Sequence, residues 1–395
     1  MQKNLIALAV AGLASTGAFA QANVTVYGIA DGSFDVVRVS NTAGNTDLGN
    51  MTRVSTNSSY IGFKGAEALG NGLTAVFQLE SGVSFDNTGS FGATRDSFVG
   101  IAGGFGTVVL GNLTGPTRAL GAAVDVNAGA TGIGANSALL GKLGNNLLSS
   151  TDGNGNYPGT SNSSTCGRST VCTSIFDTRW KNAIAYVSPS FAGLNATVAY
   201  VANENKAFHN SGADGANTTG YDVGLKYANG PAMAAVTYNA VSLGNDAGTN
   251  VSDLRVGGTF DFGIASVRAV FDHARANHFG GTLTQNVFGL GGTFNVTPAG
   301  KLLAQAYVAR DLKTNGSSGS DTGAKLFEVG YEHSLSKRTM LKAVYAHLNN
   351  DNKASYDFGI NAVGINAAGM GAPAAGLNTT GATIQGIQLG LRHSF

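Results

Sequence analysis

Apolar and polar residues alternate along most of the chain after residue 20, with a period of two rather than the 3.6 of a helix. The alternation is clear over Tyr221–Tyr227, Phe327–Tyr331 and Ile387–Leu391. Successive side chains of a β-strand point to opposite faces of the sheet, so the pattern predicts strands with one apolar and one polar face. Sixteen strands are predicted, starting near residues 24, 51, 73, 93, 105, 179, 193, 219, 232, 251, 264, 282, 301, 323, 339 and 383.

Short turns join these strands in pairs, and longer polar stretches join one pair to the next. The turns use residues that accept tight or left-handed backbone geometry, and they centre on residues 71–72, 103–104, 188–189, 229–231, 262–263, 298–300 and 336–338. An even number of strands with short turns at one rim and long loops at the other is typical of a transmembrane β-barrel. A β-sandwich would show the same alternation in any one strand, but it needs only about seven strands.

Composition supports a membrane barrel and excludes other classes. Only 12% of the 395 residues are charged, compared with about 25% in typical soluble domains. The 24 basic and 23 acidic residues form no basic patch, so we predict no nucleic-acid partner. Beyond the N-terminal segment, no apolar run reaches the roughly 20 residues of a membrane helix. Aromatic residues near the predicted strand ends fit interfacial girdles: Tyr186, Tyr200, Tyr227, Phe260, Tyr331 and Phe395.

The first 20 residues have the three parts of a signal peptide. Lys3 supplies the positive charge, Leu5–Leu13 is the apolar core, and Ala18-Phe19-Ala20 is a small-x-small cleavage site. We therefore predict an exported protein in which residues 21–395 form one barrel domain.

Cysteine and histidine usage gives little candidate chemistry. Cys166 and Cys172 lie in a polar stretch of an exported chain; we predict a disulfide between them, with two free thiols as the alternative. His273 and His278 are an odd number of residues apart, which places them on opposite faces of a strand, so no metal site is predicted. No nucleophile elbow, zinc-protease motif or phosphate loop is present. We predict neither an enzyme nor a cofactor.

Several sequence blocks are similar to one family. They are Val24–Asp31, Ile61–Glu80, Phe105–Gly111, Tyr186–Gly193, Leu335–Thr339 and Gly390–Phe395. Together they resemble the general diffusion porins of Gram-negative bacteria, in particular the trimeric porins of beta-proteobacteria. The resemblance implies an all-β, 16-stranded antiparallel barrel in outer-membrane lipid, with short periplasmic turns and long extracellular loops. It also implies a homotrimer and a water-filled channel for passive diffusion of small hydrophilic solutes and ions.

The same resemblance implies a constriction. In such porins the third long loop, here residues 113–177, folds into the barrel, and its acidic groups face basic residues of the wall. Asp125 matches the acidic loop position, and Arg95 and Arg179 match the wall arginines. Opposed charges across a narrow aqueous gap orient polar solutes and tune ion preference. Tyr60 and Asn112 stand where relatives often carry arginine, so the sign of the ion preference is left open.

Three further points concern this constriction. Arg53, Lys64 and Arg118 are candidates to replace the missing positive charge. If Val99 and Ile101 face lipid, strict alternation turns Asp96 inward in place of Arg95. Inward carboxylates such as Glu80 and Glu328 are interpreted as solvated wall charges.

Three other functions are weighed against a diffusive channel. A substrate-specific channel would have a binding site at the constriction loop, with aromatic residues lining it. An outer-membrane hydrolase would need a Ser/His arrangement, for which no signature is found. A plugged structural barrel would use exposed loops for partners, and residues 357–380 are predicted to be such a surface loop.

Overall fold

The computed structural model describes residues 24–42, 47, 49–86, 92–143, 176–202, 219–242, 250–278, 281–363 and 380–395. These form one sheet of 19 strand segments. Gly49–Thr56 and Tyr60–Gly70 pair with the same strand and together form one spanning strand. Lys313–Thr314 and Ser317–Ser318 form only a small hairpin within a long loop.

Sixteen spanning strands therefore make up the wall of the barrel. They are β1 Thr25–Ser40, β2 Gly49–Thr56 with Tyr60–Gly70, β3 Leu73–Gly82, β4 Ser97–Gly103, β5 Gly106–Thr114, β6 Arg179–Val187, β7 Leu194–Val201, β8 Thr219–Asn229, β9 Ala232–Ser242, β10 Asn250–Asp261, β11 Ala265–His278, β12 Gly281–Asn295, β13 Gly300–Ala309, β14 Ala324–Ser334, β15 Thr339–Asn350 and β16 Thr383–Ser394. The described residues also include one α-helix, α1 Pro116–Val124, and a 3-10 turn, Asn136–Ala138. No helix in this part of the chain has the length and apolar character needed to cross a membrane.

The sheet closes on itself because β1 pairs with β16. The antiparallel register runs from Ile29 opposite Ser394 to Ser40 opposite Thr383. Beyond it, Gly28 and Phe395 exchange two backbone hydrogen bonds of 3.2 and 3.1 Å. Closure leaves no unpaired strand edge, as a lipid environment demands. The predicted 16-stranded antiparallel barrel is confirmed.

The predicted turns are confirmed as the short connections of the barrel. They join β2–β3, β4–β5, β6–β7, β8–β9, β10–β11, β12–β13 and β14–β15. Two strand boundaries differ from the sequence prediction. β2 is interrupted at residues 57–59, where Ser58 adopts a φ of 57°, and β4 begins at Ser97 rather than near residue 93.

The two faces of the wall have opposite polarity. Large apolar side chains face outward and remain exposed, for example Val99 (59%), Leu290 (61%) and Leu389 (56%). Inward positions carry most of the polar groups of the strands, such as Asp31 and Glu328, which are buried. A water-soluble protein does not leave an apolar belt of this extent uncovered. The arrangement is that of a barrel surrounded by lipid.

Two long loops fold into the barrel and form an apolar core against part of its inner wall. Ile133, Leu139 and Leu140 of the third loop belong to one buried cluster with Tyr356 and Phe358 of the last loop. The prediction that the last loop is a surface loop is therefore wrong for residues 357–363. Tyr356, just before this stretch, donates from its hydroxyl to Gln285 Oε1 at 2.7 Å, so the loop is held by the wall as well as by apolar contact.

Candidate functional site

Helix α1 of the third loop is fastened to the wall at its first turn. Asp222 of β8 accepts the Thr117 hydroxyl at 2.6 Å and the Thr117 backbone N–H at 3.3 Å. The same carboxylate accepts the indole N–H of Trp180 at 3.1 Å. On the other side, Arg255 Nη1 of β10 donates to the Thr117 carbonyl at 3.0 Å. One helical turn is thus held by two wall strands.

Arg255 is itself the centre of a buried ion triad. Its Nε lies 2.6 Å from Asp272 Oδ2, its Nη2 lies 3.2 Å from Asp253 Oδ2, and all three side chains have 0% exposure. Charges in a medium of low polarity are stable only when they are paired and hydrogen-bonded. The triad therefore links β10, β11 and α1 into one electrostatic unit.

The remaining faces of α1 differ in what they meet. Four residues at helical spacing are buried against the wall: Thr117, Leu120, Gly121 and Val124. The opposite face, toward the lumen, consists of three exposed alanines and the partly exposed Arg118. The helix therefore presents a smooth surface to the lumen with one positive charge near its N-terminus.

Asp125, immediately after α1, does not lie opposite the wall arginines. Its side chain has 0% exposure and accepts from Asn136 N at 2.7 Å, Asn127 N at 2.8 Å and Gln305 Nε2 at 3.3 Å. Burial raises the pKa of this carboxyl. The expectation that Asp125 faces the aqueous gap is not met, because the loop turns this side chain toward β13 and uses it as an anchor.

A second carboxylate shares the Asp125 anchor. Glu328 of β14 is fully buried and accepts from Asn127 Nδ2 at 2.9 Å and from the Gln305 amide, both of which also donate to Asp125. Glu328 is therefore not the solvated wall charge that the sequence analysis predicted. No ion pair between described residues involves either carboxylate, although Arg268 donates to the Asp125 carbonyl.

Glycine occupies the points where the third loop runs closest to the wall. A Cβ on Gly134 would lie 2.5 and 2.6 Å from the two Glu328 oxygens, and one on Gly121 would lie 2.7 Å from Arg255 Nη1. Further glycines meet wall side chains in the same way: Gly115 at Asp222, Gly129 at Arg392 and Gly132 at Gln388. The absence of a side chain lets the loop backbone approach the wall polar groups directly.

On the facing part of the wall, Arg95 and Tyr60 lie together. The Arg95 guanidinium is 4.5 Å from the centre of the Tyr60 ring, and its Nε is 3.4 Å from Glu80 Oε2. Glu80 also accepts from the Tyr27 hydroxyl at 2.8 Å. Glu80 is thus a partner of the arginine rather than a free wall charge.

Arg179 joins this group through Asp96. Arg179 Nε lies 3.3 Å from Asp96 Oδ1, and Arg179 is repelled by the nearby Arg95 and Arg118. Arg118 in turn lies 3.4 Å from Asp177 Oδ2. The structure therefore brings the predicted Arg95, Arg179 and Tyr60 together, adds Arg118 from the loop, and leaves Asp125 elsewhere.

Arg95 and Asp96 both turn inward, although alternation allows only one of them. Both residues lie in a bend that precedes β4, so the period of two does not apply to them. Asn112 fixes this bend by donating from its amide to the Arg95 carbonyl at 2.8 Å. Asp96 accepts the Thr114 N–H at 2.7 Å. Sequence periodicity gives no signal for such a bend.

The three candidates for replacing missing positive charge have different surroundings. Lys64 lies 4.8 Å from the centre of the Tyr27 ring, and Arg118 lies beside Arg179. Arg53 is paired with Asp35 at 3.1 Å and donates to the carbonyls of Asn361 and Ala362 in the last loop. Lys64 and Arg118 therefore belong to the group around Arg95, whereas Arg53 holds the last loop.

Charges along the inner wall are similar in number but differ in burial. Nine carboxylates of the described strands project inward. Eight of them are buried, namely Asp31, Asp35, Glu80, Asp222, Asp253, Asp272, Glu328 and Glu332, and Asp261 at the end of β10 is exposed. Nine basic side chains project inward, and only Arg255 and Lys342 among them are buried; the others are Arg53, Lys64, Arg179, Lys226, Arg268, Lys301 and Arg392. Water in the lumen therefore meets more positive than negative groups.

Other site predictions are not reached by the described residues. The predicted signal peptide and the predicted disulfide between Cys166 and Cys172 lie outside them. Among the described residues, no group of three or more His, Cys, Asp or Glu side chains is arranged to hold a metal ion. That the protein has no metal site stays a prediction.

Comparison with protein families and relatives gives a consistent result. The family model described as Gram-negative porin matches residues 7–353. Outer membrane porin protein 32 of Delftia acidovorans is 31% identical over 401 residues, with 100% of both chains covered. Major outer membrane protein P.IB of Neisseria gonorrhoeae is 35% identical over 235 residues, covering 58% of this chain and 54% of the relative. The relatives are channels rather than enzymes.

Solved structures show the same architecture. The anion-selective porin from Comamonas acidovorans superposes with a TM-score of 0.72 at 27% identity, covering 95% of this chain and 100% of that one. OmpT of Vibrio cholerae in its trimer form has a TM-score of 0.61 at 13% identity, covering 95% and 99%, and this likeness shows the fold alone. With its closed barrel, polar lumen and inward loop, the chain belongs to the Gram-negative porin family and is an outer-membrane porin, a water-filled channel for passive diffusion of small hydrophilic solutes and ions.

Proposed function

We propose that this porin is a general diffusion channel with a modest preference for anions, working as a homotrimer. The observation that carries the preference is the unequal burial of lumen charges. Eight of the nine inward carboxylates of the strands are buried, whereas seven of the nine inward basic side chains keep partial contact with the lumen. In a narrow channel, a charged group in contact with water attracts counter-ions strongly. A buried charge that is already neutralised by a partner attracts them less.

Ion pairing reinforces this difference. Asp31 is held by Lys342 and by Arg392, each at 2.8 Å, and Glu332 is held by Lys301 at 2.6 Å. Lys301 keeps 32% of its side chain exposed, against 3% for Glu332. The anion preference is modest because the pairs cancel much of the field at a distance.

The diffusive function is favoured over a substrate-specific one by the state of the aromatic residues. A specific channel would need aromatic rings at the constriction, and Tyr27 and Tyr60, beside Lys64 and Arg95, are the candidates for them. However, Lys64 lies over one ring and Arg95 over the other. These ring faces are occupied by the protein's own cations and are not free to stack on a solute.

Family membership supports the homotrimer. Small residues of β1 such as Gly28 and Gly32 could let neighbouring barrels approach closely, but they do not add to this support. Aromatic rings fill the space beside both glycines. A Cβ on Gly28 would lie 2.5 Å from Cζ of Phe395, and a Cβ on Gly32 would lie 2.8 Å from Cζ of Phe85. These glycines therefore accommodate aromatic rings of the same chain. Close packing of neighbouring barrels has to rest on other outward residues.

The experiment that tests both parts of the proposal is planar-bilayer recording of the refolded porin under a potassium chloride gradient. We expect insertion in three equal conductance steps and a reversal potential that favours chloride. Conductance should rise in proportion to salt concentration, because a diffusive channel has no site to saturate. A reversal potential that favours potassium would contradict the anion preference, and single independent steps would contradict the trimer.

A pH dependence is expected from the Asp125 anchor. Because the docked loop raises the pKa of Asp125, the docked state binds a proton more readily than a free loop does. Protonation of Asp125 therefore stabilises the docked loop fully at pH values below the ordinary pKa of a carboxyl group. This stabilisation is lost as the pH rises through the raised pKa of the docked state. We expect larger and noisier single-channel currents in alkaline than in acidic buffer.

The variant Asp125→Asn tests this reason, since an amide cannot lose the proton. Its current noise should no longer change with pH. Asp86→Asn is the matched control, because Asp86 lies outside the barrel and accepts from the Thr56 hydroxyl at 2.7 Å; it should keep the wild-type pH dependence. Equal pH dependence in Asp125→Asn and wild type would refute the assignment.

A further inference from the structure

We infer that Arg118 is a selectivity-determining residue of the channel, so that the third loop contributes positive rather than negative charge to the constriction. This inference rests on the proposed anion preference and assigns part of it to one side chain. It reverses the arrangement that the resemblance implies, in which the loop supplies the acidic side.

The first argument concerns position. Thr117, the residue before Arg118, is clamped by Asp222 through its hydroxyl at 2.6 Å and by Arg255 through its carbonyl at 3.0 Å. The buried face of the helix continues at Leu120, Gly121 and Val124. A helix fixed on that face directs Arg118 toward the lumen. Its place is therefore set by buried wall contacts and not by its own ion pair.

The second argument concerns the absence of competing charge on the same surface. The lumen face of α1 otherwise consists of Ala119, Ala122 and Ala123, all exposed. The acidic residue expected there, Asp125, is fully buried on the other side. Arg118 is therefore the only ionisable residue of α1 itself, Pro116–Val124.

The third argument concerns its neighbours. Arg118 is paired at 3.4 Å with Asp177, two residues before Arg179, and its side chain is 27% exposed against 18% for Asp177. Thr114, four residues before Arg118, lies opposite Arg179 in the register of β5 and β6. Arg95 repels Arg179. Two wall arginines and one loop arginine thus form a cluster in which each arginine has one carboxylate partner: Glu80 for Arg95, Asp96 for Arg179 and Asp177 for Arg118.

The experiment compares the ratio of chloride to potassium permeability in Arg118→Gln and wild type. In water, one unit charge about 7 Å from an ion changes its occupancy roughly threefold. The charge raises the occupancy of chloride and lowers that of potassium by the same factor, so the ratio changes by the square of that factor. We therefore expect the ratio to fall about sevenfold in Arg118→Gln and about 50-fold in Arg118→Glu. Arg118→Lys should keep a ratio near that of wild type, because it retains the charge.

Arg275→Gln is the matched control. Arg275 is exposed on the outer face of β11 and bonds only locally, to Asn277 at 3.2 Å, so its loss removes one charge without touching the lumen. Its permeability ratio should equal that of wild type. Trp180, the single tryptophan, contacts the α1 anchor through Asp222, so unchanged fluorescence shows that the variants keep the helix docked.

The outcomes separate this inference from the proposed function. A wild-type channel that favours chloride together with an unchanged ratio in Arg118→Gln would overturn the role of Arg118 and leave the anion preference standing. A wild-type channel that favours potassium would refute the proposed preference. The change caused by Arg118→Gln would still measure the contribution of this residue in that case.

Discussion

Replacing Arg255 by methionine is expected to lower the free energy of unfolding by about 3–5 kcal/mol, the usual cost of removing one member of a buried ion group. The substitution leaves Asp253 and Asp272 without their cation, although both have 0% exposure. It also removes the donor to the Thr117 carbonyl. The same change therefore weakens both the wall and the attachment of α1.

Urea titration of the porin folded into lipid vesicles measures this loss. Trp180 fluorescence reports separately on the α1 anchor, since its indole donates to Asp222 at 3.1 Å. We expect an early change in fluorescence, as the helix detaches, followed by unfolding at a lower urea concentration than wild type. In this variant Asp222 is the remaining wall partner of Thr117, through its hydroxyl and its N–H.

Two variants establish the cause. Arg275→Met removes an exposed arginine from the outer face and should change stability by no more than about 0.5 kcal/mol. Adding Asp253→Asn and Asp272→Asn to Arg255→Met should restore part of the loss, because no buried charge then lacks a partner. Wild-type stability in Arg255→Met would show that the triad carries no net stabilisation.

Replacing Gly134 by alanine is expected to detach the third loop from the wall in a large fraction of channels. The added Cβ would stand 2.5 and 2.6 Å from the oxygens of Glu328, too close for either group. Overpacking of this kind costs about 1–3 kcal/mol, which corresponds to a shift of roughly 5- to 150-fold in the docking equilibrium. Single-channel recordings should show a higher mean conductance and more frequent transitions.

The control for Gly134→Ala is Gly104→Ala, in the turn between β4 and β5, where a Cβ would meet nothing within 4 Å. This variant should conduct as wild type does. In the double variant Gly134→Ala with Glu328→Ala, the free energy of docking should fall by less than the sum of the two single effects, because the added Cβ no longer collides with the Glu328 carboxylate. Unchanged conductance in Gly134→Ala would mean that the loop does not depend on close contact with Glu328.

The constriction could be predicted in part. The resemblance identified Arg95, Arg179 and Tyr60, and the structure places all three together with Glu80 and Asp96. The resemblance assigns Asp125 to the same group, but in the structure this carboxylate is buried as an anchor. The sequence shows that the third loop contains a carboxylate, but it does not show which way the loop backbone turns. That direction depends on two partners of Asp125: Gln305, which is distant in sequence, and Asn136, which lies across a turn of the loop.

The inward direction of Arg95 and Asp96 shows a second limit. Periodicity predicts side-chain direction only while a strand continues, and β4 begins after both residues. The last loop shows a third. Its Gly-, Ala- and Asn-rich composition is typical of exposed loops, yet Tyr356 and Phe358 are buried against the third loop, an environment created by residues more than two hundred positions earlier in the chain.

Local alternation and turn chemistry are sufficient to predict a membrane barrel, the number of its strands and its seven short turns, and the resemblance to porins locates the third loop. Which charges meet water depends instead on the tertiary structure. Buried carboxylates need partners, and these partners come from strands distant in sequence, as Arg392 does for Asp31 and Arg255 for Asp272. The electrostatics of the lumen is therefore a property of barrel closure and loop docking, which no local pattern contains.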